Sequence, residues 1–552
     1  MKPENDRIGA VLVAGAGIGG MQAAIDLGNA GYKVYLLEEK SAIGGRMAQL
    51  DKTFPTNDCS MCTISPRLVE VDKHPNIEIL TNSEILAVEG KAGRFQVRVL
   101  KHPRYVDMEK CNACGDCFEA CPVEVPNEFD EKLRPRKAIH KLYPQAIPNK
   151  AVIQKAGVSP CKAACPSHVH VQGYLALVRQ GKYKEALNLI RKDCALPSVC
   201  GRVCVRFCEE KCTRGGVDEA IAINDVKWFL SEQDNDGNLP EITPAKNRKV
   251  AVIGAGPGGL SCAYYSALNG YTVTVFEKDE EPGGVLRYGI PEYRLPKAIL
   301  NRDIEHIRRC GVEIQCSTAL GKDFTLDGLT KQGYEALFLG VGCSVGAPLG
   351  IGEDQISGVM QGVDFLKAAA QSEMIELGKR VIVIGGGNVA VDVARTAVRL
   401  GAEEVRMVCL EDRDEMPAHI DEIHEAEAEG VFIDNCWGPL EIVPGQDGSL
   451  IKGICFKQCT RVFDADGKFS PVYDESCCMG IESDTIILAI GQRVDPALVE
   501  FFGPIETSRG NIISVDSTTF QTSVPGVFAA GDATSGPRTV IQAIAGGKEA
   551  AE

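Results

Sequence analysis

Three stretches of the chain share one pattern: a short β-branched, apolar run, a glycine-punctuated turn, a helix-like segment, and a second apolar run ending near an acid. The first is VLVAGAGIGGMQAAIDLGNAGYKVYLLEEKSAIGG, from Val11. The second, VAVIGAGPGGLSCAYYSALNGYTVTVFEKDEEPGG from Val250, matches it at a constant offset, and the third, VIVIGGGNVAVDVARTAVRLGAEEVRMVCLE, begins at Val381. Each predicts strand, turn, helix and strand, so the expected architecture is an α/β multidomain chain of Rossmann-like dinucleotide-binding folds.

The turns carry the chemistry. Gly15, Gly17 and Gly20 repeat as Gly254, Gly256 and Gly259, and the acids Glu38 and Glu277 end the second strands. In G-x-G-x-x-G the first glycine permits a tight turn, the second lets backbone approach a pyrophosphate, and the third lets helix and strand pack closely. The helix N-terminus offers N–H groups to the anion, and the acid accepts from ribose hydroxyls. Both copies continue into a glycine pair, Gly44–Gly45 (followed by Arg46) and Gly283–Gly284, which resembles FAD sites of flavoprotein oxidoreductases. The third copy has Gly385, Gly387 and Ala390 in the glycine positions, Asn388 opening its helix, and no glycine pair, which suits a nicotinamide nucleotide.

At 552 residues the chain exceeds one hydrophobic core. Its 44% apolar content and mean hydropathy of −0.05 are those of a globular protein. The start carries no signal-peptide pattern and no run of ~18 apolar residues occurs, so a cytoplasmic location without a membrane span is expected. A net charge of −16 argues against nucleic acid. Twenty-three cysteines would then stay reduced, pointing to metal ligation or redox chemistry. The eight histidines are dispersed, with most expected at the surface, and no hydrolytic triad is evident.

KCNACGDCFEACPVE places Cys111, Cys114, Cys117 and Cys121 at the C-x₂-C-x₂-C-x₃-C-P spacing of ferredoxins, expected to wrap one [4Fe-4S] cubane; zinc is the rival. A second group runs from Cys161 to Cys212. The remaining cysteines, including Cys262, Cys310, Cys343 and Cys455, lack ligand spacing and read as buried thiols.

From Arg248 onward the chain resembles the small subunit of glutamate synthase and its ferredoxin-linked relatives. The carrying residues are GAGPGGL, GGVLRYGIPEYRLPK, GGGNVAVDVAR, EMPAHIDE and FAAGDATSGPRTVIQAIAGGKEAA. The resemblance implies a nucleotide domain inserted into an FAD domain, with Gly531 and Asp532 returning to the ribityl–phosphate region. NADPH-using members carry paired arginines where this chain has Leu410 and Glu411. A carboxylate there favours NADH, while Arg413 and Arg406 keep NADPH open. The same resemblance covers the second cysteine group and implies that Cys161, Cys165, Cys200, Cys204, Cys208 and Cys212 bind one or two clusters, with Cys194 as a seventh candidate. The family's leading C-x₂-C pair is missing, and Lys227 stands about where a Glu or Gln often completes the second cluster.

Residues 11–150, with GGRMAQLDKTFPTNDCSMCTISPRLVEV and the ferredoxin module, resemble the flavin-bearing A subunit of heterodisulfide reductase. That resemblance implies a thioredoxin-reductase-like FAD domain interrupted by the ferredoxin module, and a role in flavin-based electron bifurcation. It places Cys59 and Cys62 near the flavin, as metal ligands or as a local redox pair.

The expected layout is an FAD half-domain (1–104), ferredoxin insert (105–150), helical iron–sulfur adaptor (151–232), linker (233–247), FAD domain (248–377), inserted NAD(P) domain (378–500) and FAD return (501–552). Only one Gly-Asp strand turn is present, so the cofactors expected are FAD at one complete site and one half-site, NADH in preference to NADPH, and two or three [4Fe-4S] clusters. The chain then reads as the front part of a longer polypeptide, and its partners as other redox subunits of an electron-transfer complex. The function expected is NAD(P)H oxidoreduction through flavin and clusters. A glutamate-synthase-type dehydrogenase and a non-catalytic cluster scaffold are the alternatives.

Overall fold

The computed structural model describes residues 9–155, 157–233, 239–353, 356–445 and 451–552. The chain divides into two compact units: residues 1–159 with 212–220, and residues 160–211 with 221–552.

In the first unit, β1 (Ala10–Ala14), α1 (Ile18–Asn29), β2 (Lys33–Leu37) and β3 (Ile77–Leu80) form a parallel sheet of order β1-β2-β3. α1 and α2 (Ser60–Lys73) pack on it through Met21, Ile25, Ile64 and Leu68, all buried. Among the described residues β1 pairs with β2 alone, and its middle residues remain half-exposed. An antiparallel hairpin, Ser83–Lys91 with Arg94–Lys101, leads into the ferredoxin-type segment.

The second unit repeats the motif and completes it. β4 (Lys249–Ile253), α8 (Pro257–Leu268) and β5 (Thr272–Phe276) pair in the register of the first copy: Ala10 faces Lys33 there, and Lys249 faces Thr272 here. The sheet then gains β6 (Glu313–Gln315), β7 (Tyr334–Leu339) and β16 (Val527–Ala529), in the order β6-β5-β4-β7-β16, all parallel. The last four residues of β4, VAVI, are buried, as a strand covered on both faces and both edges must be.

Between β7 and β16 lies a second five-stranded parallel sheet. It consists of β8 (Val359–Gln361), β9 (Arg380–Ile384), β10 (Glu404–Val408), β11 (Phe432–Asp434) and β15 (Thr485–Leu488), in the order β8-β15-β9-β10-β11. An antiparallel sheet of β12 (Trp437–Pro444), β13 (Ile451–Phe463) and β14 (Phe469–Glu482) precedes β15. This is the Rossmann-type α/β architecture the three glycine turns predict.

The cysteine-rich helices are α3 (Val171–Arg179), α4 (Tyr183–Arg191), α5 (Pro197–Val203), α6 (Phe207–Glu210) and α7 (Ile223–Glu232). They are not a separate globule. Tyr174, Ile190, Leu196 and Leu230 join Val252, Leu260, Tyr264 and Ile544 in one hydrophobic core. Asp303, on α9 (Lys297–Arg309), caps α5 by accepting from the Ser198 and Val199 N–H groups at 2.9 and 3.0 Å. Lys548, on α11 (Val540–Ala551), pairs with Asp193 at 2.8 Å.

Residues 234–238 of the expected linker lie outside the described residues. Residues 241–247 are exposed, as its composition predicts, yet the segment is tied down: Thr243 and Lys246 donate to the Leu268 and Gly270 carbonyls at 2.9 and 2.8 Å. Among the described residues no helix is long and apolar enough to cross a membrane. The histidines follow expectation except His140 and His306, which are buried; burial lowers the His140 pKa to about 4.

Candidate functional site

The glycines act as their spacing predicts. Gly254 sits at φ +100°, and a Cβ there would lie 2.5 Å from the Gly340 carbonyl at the end of β7. At Gly259 a Cβ would lie 1.9 Å from the Gly254 carbonyl, which is the close helix–strand contact the third glycine serves; Gly20 repeats the distance against Gly15. Gly256, by contrast, opens α8 with nothing within 4 Å of a would-be Cβ, at an ordinary φ of −75°. That open space at a helix N-terminus fits a pyrophosphate. The glycine pairs close onto these turns: a Cβ on Gly284 would lie 2.9 Å from the Gly256 Cα, and one on Gly45 would lie 2.9 Å from the Gly17 Cα.

The two acids brace their own turns. Glu277 accepts from the Ala255 and Asp279 N–H groups at 2.7 and 3.0 Å, and Glu38 from Ala16 and Lys40 at 2.9 and 3.1 Å. Sequence reasoning gave them only the ribose. Burial raises the Glu277 pKa against these hydrogen bonds.

In the second unit these parts line a cavity of ≈ 320 Å³ with Gly254, Gly256, Glu277, Gly284, Gly531 and Asp532 on its walls. Asp532 follows β16, and burial pushes its pKa up to about 6 although the Arg538 N–H, 3.2 Å away, favours the carboxylate. Two contributors escaped the sequence. Cys343 is not the buried core thiol expected: half-buried, it lines the cavity and donates to the Asp532 carbonyl at 3.2 Å, with burial raising its pKa to about 12. Lys367 reaches the cavity from the far side of the sequence and pairs with Asp279 at 2.6 Å. The strand end GVGCS hinted at the first, whereas nothing local marked the second. Cys455 is likewise half-buried, while Cys262 and Cys310 are buried as expected.

The third turn is built differently. Gly387 opens α10 (Asn388–Arg399) with nothing within 4 Å of a Cβ, and Gly385 has φ +139°. A Cβ on Gly386 would lie 2.9 Å from the Glu411 Oε2. The Asn388 side chain accepts from the His419 N–H at 2.8 Å, and the Ala418 N–H donates to the Gly386 carbonyl at 3.1 Å, strapping the EMPAHIDE segment across the turn. Arg413 is engaged by Glu427 at 2.6 Å, and Arg406 by Glu404 and Asp434 at 3.3 and 3.4 Å. Arg294 bridges the flavin-side loop to this fold, pairing with Asp392 and with Glu422 at 2.6 Å each.

In the ferredoxin-type segment, Ala113 and Gly115 adopt left-handed conformations between the cysteines. The Cys111 sulfur accepts from the Ala151 N–H at 3.4 Å, the largest of the effects lowering its pKa. Such donors suit a ligating thiolate. Burial raises the Cys117 pKa. Cys114 and Cys117 are exposed, and Cys121 is half-buried.

Of the adaptor cysteines, Cys165, Cys200 and Cys208 are buried, as is Cys194, while Cys161 and Cys204 are half-buried. Cys194 and Cys200 lie 3.6 Å apart, sulfur to sulfur. Their shared hydrogen bond lowers the Cys194 pKa and raises that of Cys200, and burial raises the Cys208 pKa to about 12. Cys212 groups with the first unit, apart from the other adaptor cysteines. Lys227 is buried on the same face of α7 as Ile223, Asn224 and Leu230. Burial alone would lower its pKa, but the Cys204, Cys200 and Cys194 sulfurs outweigh it and the net direction is upward.

Cys59 caps α2, its sulfur accepting from the Cys62 N–H at 3.3 Å, with both thiols exposed. The Cys62 side-chain hydrogen bond is the first cause of the lowered Cys59 pKa. Arg46 lies on the surface, ion-paired with Glu131. Among the described residues no three His, Cys, Asp or Glu side chains converge as they would on a single metal ion.

Four family models match the chain: Pyridine nucleotide-disulphide oxidoreductase over residues 248–547, Dihydropyrimidine dehydrogenase domain II, 4Fe-4S cluster over 149–238, 4Fe-4S binding domain over 104–127, and NAD(P)-binding Rossmann-like domain over 13–78. Among curated proteins, the NADP(+)-dependent formate dehydrogenase subunit beta of Moorella thermoacetica is 41% identical, over 71% of this chain and 59% of its own length. The NAD-dependent dihydropyrimidine dehydrogenase subunit PreT of Escherichia coli K12 is 36% identical, over 71% of this chain and 90% of its own. The glutamate synthase [NADPH] small chain of the same organism is 33% identical, over 71% and 87%. The chain thus spans about three-fifths of the formate dehydrogenase subunit. With these matches lying on the glycine turns and cysteine segments described above, the chain belongs to the pyridine nucleotide-disulphide oxidoreductase family, with NAD(P)- and 4Fe-4S-binding segments and similarity to the glutamate synthase small chain.

Proposed function

We propose that the chain carries electrons between NADH, FAD and [4Fe-4S] clusters as the A-like subunit of a heterodisulfide-reductase-type complex. The observation that supports this reading is the single core shared by the α/β fold and the cysteine-rich helices, which would keep a bound flavin and a cluster at a fixed separation. FAD supplies hydride acceptance from a nicotinamide, and clusters supply one-electron steps.

The residues' own tasks follow from their placement. Gly256 and Gly387 leave helix N-termini open to pyrophosphates, and Asp532, Gly531 and Gly284 close the flavin cavity. Glu411 would accept a ribose 2′-hydroxyl and repel a 2′-phosphate, and the ion pairs of Arg413 and Arg406 leave neither guanidinium uncommitted, which favours NADH. Cys111, Cys114, Cys117 and Cys121 would hold one cluster, and the adaptor cysteines at least one more. The Gly15 copy reads as half of a second flavin site, with the edge of β1 open among the described residues.

Anaerobic NADH oxidation with a viologen dye tests the catalytic part; no turnover with flavin and clusters intact would favour a scaffold. Copurification of heterodisulfide-reductase-type subunits tests the complex. Glutamate formation from 2-oxoglutarate with a large subunit would favour the second reading, which the identity to the glutamate synthase small chain supports. A large NADPH preference abolished by Arg413→Ala would overturn the nucleotide assignment.

A further inference from the structure

The adaptor buries a lysine on the inward face of α7. On α7 the inward face reads Ile223, Asn224, Lys227, Leu230 and Ser231, with Lys227 only 4% exposed. α7 packs tightly on α5, because a Cβ on Gly201 would lie 2.9 Å from the Trp228 Cα. The side chain is held, not loose: Asn224 donates to the Gly201 carbonyl at 2.8 Å and accepts from the Lys227 Nζ at 3.3 Å. No carboxylate is ion-paired with this ammonium among the described residues. What it approaches is the cysteine-bearing helix: Asn224, which holds the Lys227 Nζ, is itself bonded to the carbonyl of Gly201, the neighbour of buried Cys200, and Cys194 lies 3.6 Å from Cys200, sulfur to sulfur.

A buried ammonium without a counter-charge is strongly unfavourable. Neutral thiols do not compensate it, whereas an iron–sulfur cluster on thiolate ligands brings net negative charge to the same place. The lysine is therefore an observation, independent of cysteine spacing, that an anionic group belongs in this cage.

We propose that Lys227 is a fixed counter-charge for the adaptor cluster, favouring its one-electron-reduced form and so raising its reduction potential. The inference rests on the reading that these cysteines hold a cluster. When an electron originating from the nicotinamide nucleotide arrives, the site gains one negative charge and no bond is made or broken. An ammonium in the same low-dielectric core would stabilise that added charge far more than one in water would. Lys227 is a positioning residue in this sense: it sets how readily the electron stops here and touches no substrate.

The test is an EPR-monitored potentiometric titration of the full-length chain, with iron and sulfide counted on each sample. A Cys114→Ser/Cys117→Ser background removes the ferredoxin-type signal. Lys227→Met, which keeps the length and loses the charge, is expected to lower the equilibrium constant for reduction about tenfold or more, each factor of ten being ~59 mV for one electron. Lys227→Arg should hold the wild-type value. If the Met variant fails to retain iron, Lys227→Leu is the neutral variant titrated, with the same downward shift expected. Full iron content with an unmoved midpoint in the neutral variant overturns the inference alone, as does an equal shift in Met and Arg variants. No iron beyond the ferredoxin-type cluster in the unsubstituted chain overturns the cluster reading, and the inference with it.

Discussion

The repeats at Gly15 and Gly254 have the same turn, the same strand register and the same glycine pair, but different surroundings. At Gly254 the neighbouring strand β7 arrives so closely that no Cβ fits, whereas at Gly15 nothing stands within 4 Å. β4 is buried along its last four residues, while β1 stays half-exposed in its middle. Local sequence thus encodes the turn in both copies, and the strands that make a turn into a cofactor site come from far along the chain. A dinucleotide fingerprint specifies half a site.

Single-glycine substitutions would break this comparison with the largest effect. Gly254→Ala combines left-handed strain of about 1–2 kcal/mol with overpacking against the Gly340 carbonyl of about 1–3 kcal/mol. Gly15→Ala carries only the strain term. Melting of each variant should therefore show a much greater loss for Gly254→Ala, and equal losses would mean that the first turn is covered after all.

Valine at the second glycine asks about ligand instead of fold. Gly256→Val fills the open space at the α8 N-terminus without backbone strain, so flavin per chain should fall at least tenfold while melting of the apoprotein barely changes. On the proposed half-site reading, Gly17→Val should leave the flavin content of this chain as it was. Flavin loss from both would make the two copies functionally equivalent.

The completed fold has also buried acids. Burial raises Asp392 to about 7, partly offset by Arg294 and reinforced by Glu422, with Arg395 and Tyr293 also facing it. Asp303 is raised to about 6 by burial. The sign follows from linkage: between the ordinary value of 3.8 and about 7, the unfolded chain ionises Asp392 while the folded one keeps it protonated, so stability falls as pH rises through that window. Asp392→Asn should accordingly gain stability relative to the parent from pH 4 to pH 7. A difference in melting temperature independent of pH would show that the carboxylate is already charged at pH 4.

Much of this was legible in the sequence for a physical reason. Gly20 and Gly259 answer steric demands of their own turns, Gly15 and Gly254 supply the left-handed φ of those turns, and the strands around them are marked by their apolar pattern. What the sequence concealed depends on distant contacts. Lys367 meets Asp279 only after the chain has crossed back, and Cys343 reaches the cavity because β7 ends beside β16. The adaptor's lack of a core of its own was equally hidden, since its apolar residues look the same whether they pack on each other or on Leu260 and Ile544. Lys227 was visible as a departure from the expected residue, but its burial was not.

The third turn sharpens the comparison by its acid. Glu38 and Glu277 accept backbone N–H groups of their own turns, while Glu411 approaches its turn at a glycine, Gly386, 2.9 Å from where a Cβ would be. A charged hydrogen bond to a ribose hydroxyl contributes about 1.5–3 kcal/mol, so Glu411→Ala should reduce kcat/KM for NADH by about tenfold or more and raise that for NADPH as the repulsion disappears. Arg413 is the weaker lever, because its guanidinium is partly exposed and already paired with Glu427, and such pairs contribute ~0–1 kcal/mol. Steady-state kinetics with Arg413→Ala should then change the ratio of the two nucleotides by less than about threefold. A tenfold loss confined to NADPH would instead mean that Arg413 leaves Glu427 to meet the 2′-phosphate, and that the acid at position 411 does not decide the nucleotide.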